Sequence, residues 1–289
     1  MKRSAFITAM ILACCLAAGQ TRLWEGAKGA AAKVRLTAFV PEDCNGTGVI
    51  ICPGGSYFWL DTKNEGALVA KWLNDNNIAA FVLEYRTAGK IEFVHHFRSF
   101  SRGTVFPDML SDLQMALGYV RRSYPLERIG VMGFSAGGHL AMLSAELGDR
   151  DFTQGLSMMH SPDFVAAIYP VVTMSDERYV HRRSRRGLMG DRLMKSSALR
   201  DSLSLERHAG RGLPPVFLLA CEDDPTVDFH NSMLLDSALR AEGVPHEFLL
   251  YKSGGHGFGA NPRRQEGGTS LWQKSFIDWL NTLQYDTRH

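Results

Sequence analysis

At 289 residues, 45% of them hydrophobic, the chain can bury one large core and is short for two comfortable enzyme domains, so one catalytic domain is expected. Its 32 Lys and Arg stand against 30 Asp and Glu, a formal net charge of +2. That balance gives no electrostatic case for nucleic acid or a membrane surface as the main partner, and it argues against a polyanionic substrate.

In chain order, Lys2 and Arg3 precede an apolar stretch from Ala5 to Ala18 broken only by Thr8, with small residues before Gln20. This is the layout of a secretory signal over residues 1–19, shorter than a membrane span, with Ala17 and Gly19 at the positions a signal peptidase reads. Ile11-Leu12-Ala13-Cys14 also resembles a lipoprotein signal; the plain signal is preferred because the apolar run continues past Cys14. The expectation is an exported protein, periplasmic or secreted, with no membrane association beyond a lipid anchor at Cys14, and a catalytic domain over residues 20–289. Of five cysteines, Cys14 and Cys15 fall in the signal, leaving Cys44, Cys52 and Cys221, which suggest neither a disulfide framework nor a metal site.

Apolar, β-branched runs at 48–52, 79–85, 129–132, 164–169, 216–220 and 248–251 predict strands buried on both faces. Between them lie helical spacings such as Leu110, Leu113, Leu117 and Val120, or Phe276, Ile277 and Leu280. The alternation predicts an α/β fold with a doubly wound, mostly parallel sheet and helices on both faces, whose ligands collect at the carboxyl ends of the strands. Two stretches break the alternation, 89–103 with His95, His96, Arg98 and Arg102, and the Arg-rich 173–213. Connections this long are more often functional than idle, so both are candidate substrate-binding insertions.

Gly133-Phe134-Ser135-Ala136-Gly137 follows the strand 129–132 and opens a helix carrying Leu140, Met142 and Leu143. A serine on so tight a strand-to-helix turn needs small neighbours two residues either side, and the helix amino end favours developing negative charge. Ser135 is therefore the candidate nucleophile, and its base and orienting carboxylate should follow in the order acid, then histidine. Glu222-Asp223-Asp224 comes after the strand 216–220, and Gly254-Gly255-His256-Gly257 after the strand 248–251. His256 is set apart from the other histidines by its flanking glycines; the acid is open among the three consecutive residues. His139, on the helix after the nucleophile, reads as structural, and His160, His181, His208, His230 and His246 as surface or packing residues. After the first strand, Pro53-Gly54-Gly55-Ser56-Tyr57 offers backbone N–H groups where an oxyanion hole would stand, with Gly55, Ser56 and Ala136 as donors. No metal motif, Walker loop or dinucleotide fingerprint is present, and no cofactor is expected.

Together these residues resemble the esterase and lipase branch of the α/β-hydrolases, and within it the bacterial carbohydrate esterases related to acetylxylan and feruloyl esterases. The resemblance spans roughly residues 34–283 and includes Tyr85-Arg86, Asp112, Tyr169-Pro170, Asn231-Ser232 and Gly254 to Gly259. In that family the triad acid stands three residues before a valine, which selects Asp224 ahead of Val227, with Asp223 as second choice. The resemblance implies a serine esterase removing short acyl groups, chiefly acetyl, from small-molecule or oligosaccharide esters through an acyl-enzyme. Ser56 departs from it, where relatives often have glycine, as does the arginine content of His181 to Gly190, read as a solvated basic loop in preference to a gate for acidic substrates. A peptidase of the prolyl-oligopeptidase type is disfavoured, since fewer than about thirty residues separate the predicted signal from the first predicted strand, too few for a screening propeller. An aryl-amide hydrolase stays open, and a non-catalytic carbohydrate-binding protein is disfavoured by the complete triad.

Overall fold

A computed structural model describes residues 19–95, 103–156 and 161–283. The predicted signal, save Gly19, lies outside the described residues, as do His96, Arg98, Arg102 and His160. Eight strands form one sheet: β1 (Gly19–Arg22), β2 (Arg35–Phe39), β3 (Thr47–Cys52), β4 (Ala79–Glu84), β5 (Arg128–Phe134), β6 (Val165–Ile168), β7 (Val216–Cys221) and β8 (His246–Tyr251). Their order is β1-β2-β4-β3-β5-β6-β7-β8, with β1 and β2 antiparallel and β4 to β8 parallel throughout. The six strands expected from apolar runs are β3 to β8. β1 and β2 escape that reading because an edge pair need not be apolar; in β2 only Leu36 is buried.

Alternation along the central strands divides the core into two layers. Ile50, Val131 and Leu218 face one side with Leu113 and Leu117 of α3 (Asp108–Ser123), Leu140 of α4 (Ala136–Glu146) and Leu235 of α7 (His230–Glu242). Ile51, Met132 and Phe217 face the other with Val69 and Leu73 of α1 (Leu68–Asn74) and Phe276 and Trp279 of α8 (Trp272–Thr282).

The expected insertions contain helices of their own. The stretch 89–103 contributes the short α2 (Lys90–Val94), and 173–213 contributes α5 (Arg182–Leu193) and α6 (Ser197–Ser202). The solvated basic loop expected at 181–190 is instead a helix seated on the core, with Ser184, Gly187, Leu188 and Met189 fully buried and Arg185 nearly so. Its arginines make this possible: Arg185 pairs with Glu177 at 2.6 Å, Arg186 pairs with Asp191 at 2.7 Å, and Arg186 also donates to the Glu92 and Phe93 carbonyls of α2. The two insertions thus hold each other. Among the described residues no helix is long and apolar enough to cross a membrane.

At the far end of α4, the Glu146 carboxyl is buried beside Glu206, and burial followed by that like charge pushes its pKa well above the usual carboxylate range. Burial likewise raises Glu206, which Arg207 approaches at 4.0 Å. A carboxyl raised in the folded state contributes stability that is full below its unfolded pKa and is lost as pH rises through the folded value. Glu146→Gln is therefore expected to gain stability over the native chain at pH 8 and to gain little at pH 4, as read by urea unfolding at the two pH values. Parallel curves at both would contradict the raised pKa.

Candidate active site

Five loops leave the carboxyl ends of β3, β5, β6, β7 and β8, and the candidate residues stand on them. Ser135, between β5 and α4, has φ 56 and ψ −119, a strained conformation for a residue with a side chain, which costs on the order of 1–3 kcal/mol. Its amide donates to the Ile168 carbonyl at 2.9 Å and its carbonyl accepts from Val171 at 3.2 Å, so the neighbouring strand end holds the turn. A Cβ on Gly133 would come within 2.0 Å of the Gly137 carbonyl oxygen, which explains the small residue there.

His256 Nε2 lies 2.9 Å from Ser135 Oγ, and its Nδ1 lies 2.6 Å from Asp224 Oδ2. A carboxylate only accepts, so Nδ1 carries the proton and Nε2 is free to accept from the serine hydroxyl. The other Asp224 oxygen, Oδ1, accepts from the amides of Thr226 at 2.7 Å and Val227 at 3.0 Å, which fixes the carboxylate plane. Asp223 turns away and accepts from Gly254 and Gly255, bracing the loop that carries the histidine. The site is recessed: Ser135 is 4% exposed, and the Asp224 and His256 side chains 2% and 12%.

Gly55, Ser56 and Tyr57 all have positive φ, turning the loop after β3 so that its amides leave the sheet. The amides of Gly55, Ser56 and Ala136 make no hydrogen bond to another described residue, as donors awaiting an oxyanion should. Several groups hold this loop. Tyr85 Oη donates to the Pro53 carbonyl at 2.6 Å. Tyr57 Oη donates to His139 Nδ1 at 2.8 Å, because the opposite ring nitrogen donates to the Leu203 carbonyl at 2.9 Å. Burial brings His139 down to about 4, so the ring is neutral and its role is structural, as the sequence suggested.

Three groups at the site lay beyond sequence reasoning. Glu65, fully buried on a π-helical turn before α1, accepts from Gly54 N–H at 2.7 Å and from Tyr169 Oη at 2.8 Å. Tyr169 Oη accepts in turn from Gly259 N–H at 3.1 Å, and its ring packs 4.5 Å from the His256 ring. One buried carboxyl group thus joins the loop after β3 to the histidine loop. Burial raises Glu65, and the His256 charge and these two hydrogen bonds oppose the rise. A signal existed: Glu65 stands four residues before Val69, on the apolar stripe of α1. His181, expected as a surface or packing residue, is close enough to His256 and Asp224 to feel both charges, and burial, then Arg183 and His256, lower it to about 4. Arg183 donates through Nε to Ser56 Oγ at 3.0 Å and lies 5.6 Å over the Trp59 ring. Neither had a local sequence signal, since their partners are remote in the chain. Arg86 and Asp112, quoted for the resemblance, pair at 2.7 Å and bond to Ser111 and Trp24, tying the end of β4 to α3.

Among the described residues no group of three or more His, Cys, Asp or Glu could hold a metal ion. The arrangement can deprotonate a hydroxyl, attack an acyl carbon and stabilise the oxyanion formed.

A family profile described as BD-FAE matches residues 39–239, and one described as the dienelactone hydrolase family matches residues 205–284. The chain is 31% identical over 234 residues to an acetylxylan esterase of Xylanibacter ruminicola, covering 78% of this chain and 44% of that protein. It is 29% identical to endo-1,4-beta-xylanase B of Butyrivibrio fibrisolvens, covering 75% of this chain and 33% of that protein. The chain thus spans less than half the length of either relative. Among solved structures, an acetyl ester-xyloside bifunctional hydrolase from Caldicellulosiruptor lactoaceticus superposes with a TM-score of 0.76 at 27% identity, covering 92% of this chain and 96% of that one.

Proposed function

The chain belongs to the BD-FAE family and has the α/β-hydrolase fold, and from that premise we propose that it is a serine carboxylesterase removing short acyl groups, acetyl above all, from carbohydrate. The observation that carries the reading is the continuous pair of hydrogen bonds from Asp224 through His256 to Ser135. His256 takes the serine proton as Oγ attacks the ester carbon, and Asp224 stabilises the imidazolium that results. The amides of Gly55, Ser56 and Ala136 bind the oxygen that becomes negative. The imidazolium then protonates the leaving alkoxide, and the neutral ring activates a water that releases the acid from Ser135. The Tyr169 ring, packed 4.5 Å from the His256 ring, limits the tilt of the imidazole, while Glu65 keeps Gly54 and Tyr169 in register.

The acetyl and sugar parts of the proposal rest on the similarity to the acetylxylan esterase and to the acetyl ester-xyloside hydrolase. An exported location is proposed from residues 1–19 alone.

Acetate release from acetylated xylo-oligosaccharides, run beside an aryl acetate, tests the proposal. Release from both is the expected result. Turnover of the aryl ester alone would retain the esterase and reject the carbohydrate; turnover of neither would reject the esterase.

A further inference from the structure

Four arginines stand in the first turns of α5, and three are neutralised by carboxylates: Arg182 and Arg185 by Glu177, at 3.5 and 2.6 Å, and Arg186 by Asp191 at 2.7 Å. Arg183 differs. Among the described residues no carboxylate pairs with it, although it is exposed and stands over the loop that supplies two of the proposed oxyanion donors. Its Nε is spent on Ser56 Oγ and its guanidinium carbon lies over Trp59, and among the described residues the two terminal nitrogens have no hydrogen-bond partner. A guanidinium held in this way presents a fork matched to the two oxygens of a carboxylate.

The position places that fork beside the reaction. Ser56 is two residues after Gly54, and a Cβ on Gly54 would lie 3.0 Å from Ser135 Cβ. His181 lies close enough to Arg183, His256 and Asp224 to feel all three charges, and because burial first of all lowers it to about 4 it is neutral at ordinary pH and does not add to the positive charge there. Glu177, which also lies on this insertion, is already shared by Arg182, Arg185 and Arg200.

We propose that Arg183 is a specificity-determining residue that binds a carboxylate on the substrate, so that the preferred ester carries an acid group on its sugar or on its acyl chain. This deepens the esterase reading and rests on it. A single net positive group suits a monoanion, in keeping with the nearly balanced charge of the whole chain. Phe93 of the other insertion packs 5.3 Å from Trp59, so the aromatic wall that orients Arg183 is itself supported.

Two matched pairs separate the possible origins of the carboxylate. In the first, an O-acetylated methyl glucoside is compared with the O-acetylated methyl glycoside of glucuronic acid; in the second, ethyl butyrate is compared with monoethyl succinate. For at least one pair the native enzyme is expected to favour the acid by about tenfold in kcat/KM, the size of one solvent-accessible charge-assisted contact. Arg183→Gln should remove the preference, Arg183→Lys should restore part of it, and added salt should shrink it in the native enzyme. Any loss common to both members of a pair, as from disturbing Ser56, cancels in the ratio. An acid-to-neutral ratio that is equal in native enzyme and Arg183→Gln for both pairs overturns the proposal while leaving the esterase intact. Calorimetric binding of the unacylated methyl glucuronoside and of succinate to Ser135→Ala gives a readout independent of turnover: at least one should bind about tenfold more weakly when Arg183→Gln is added. Absence of turnover on every ester, with Arg183-dependent binding retained, would reject the esterase and keep the carboxylate site; absence of both would reject the two together.

Discussion

Asp224→Asn is expected to lower kcat on an aryl acetate by about 10,000-fold with little change in KM, the loss that follows when the base is held in the wrong tautomer. The local hydrogen bonds decide which way the new amide turns. Oδ1 of Asp224 accepts from the Thr226 and Val227 amides, and an asparagine would keep its carbonyl oxygen there because only an acceptor satisfies both. Its NH2 would then face His256 Nδ1, 2.6 Å from Oδ2 in the native chain, and would force the imidazole proton onto Nε2. Nε2 would point a donor at Ser135 Oγ, where the reaction needs an acceptor. Asp223→Asn should cost about tenfold or less, since it weakens one of two bonds to the Gly254 and Gly255 amides and leaves the tautomer alone. Combining Ser135→Ala with Asp224→Asn should add little to either alone, because the residues act as a unit. A loss in Asp224→Asn no larger than that in Asp223→Asn would remove Asp224 from the triad.

The sequence carried the parts of this site that depend on chain neighbours. β3 to β8 were legible because each contains a continuous apolar run, which β3 to β7 bury on both faces and the edge strand β8 buries in part, and Ser135 and His256 follow the ends of such runs. β1 and β2 were not, because an antiparallel edge needs hydrogen-bond partners more than apolar side chains. Strand position narrowed the acid to three consecutive residues and the family resemblance chose Asp224 over Asp223; the fold has Asp224 facing the histidine while Asp223 braces its loop. What depends on contacts remote in sequence was hidden. Glu65 meets Tyr169 across 104 residues, and its one local trace is a place on the apolar stripe ahead of Val69; Arg183 meets Ser56 across 127 and leaves no local pattern. The same arginine run that reads as solvated in sequence is anchored in space by Glu177, Asp191 and the carbonyls of α2.

Gly137→Ala should damage both stability and catalysis, although it adds a single methyl group. A Cβ there would lie 2.0 Å from the Cys52 carbonyl oxygen and 2.8 Å from that of Pro53, both backbone atoms with no rotamer to yield. β3 cannot retreat, because it is paired to β4 on one side and β5 on the other, and the Pro53 carbonyl is held by Tyr85. α4 cannot retreat without moving Ser135 and Ala136 at its start. Overpacking of this kind costs about 3 kcal/mol. For a chain of this size that is a fall in Tm of about 6–12 °C, readable by calorimetry. Relief by either route also separates Ala136 from Gly55 and Ser56, so kcat should fall by about 100-fold or more in the molecules that remain folded, the scale of a lost oxyanion contact. A lowered Tm with native kcat would mean that the strain is relieved away from the loop after β3, and would weaken the case that Gly55 and Ser56 act with Ala136 on one oxygen.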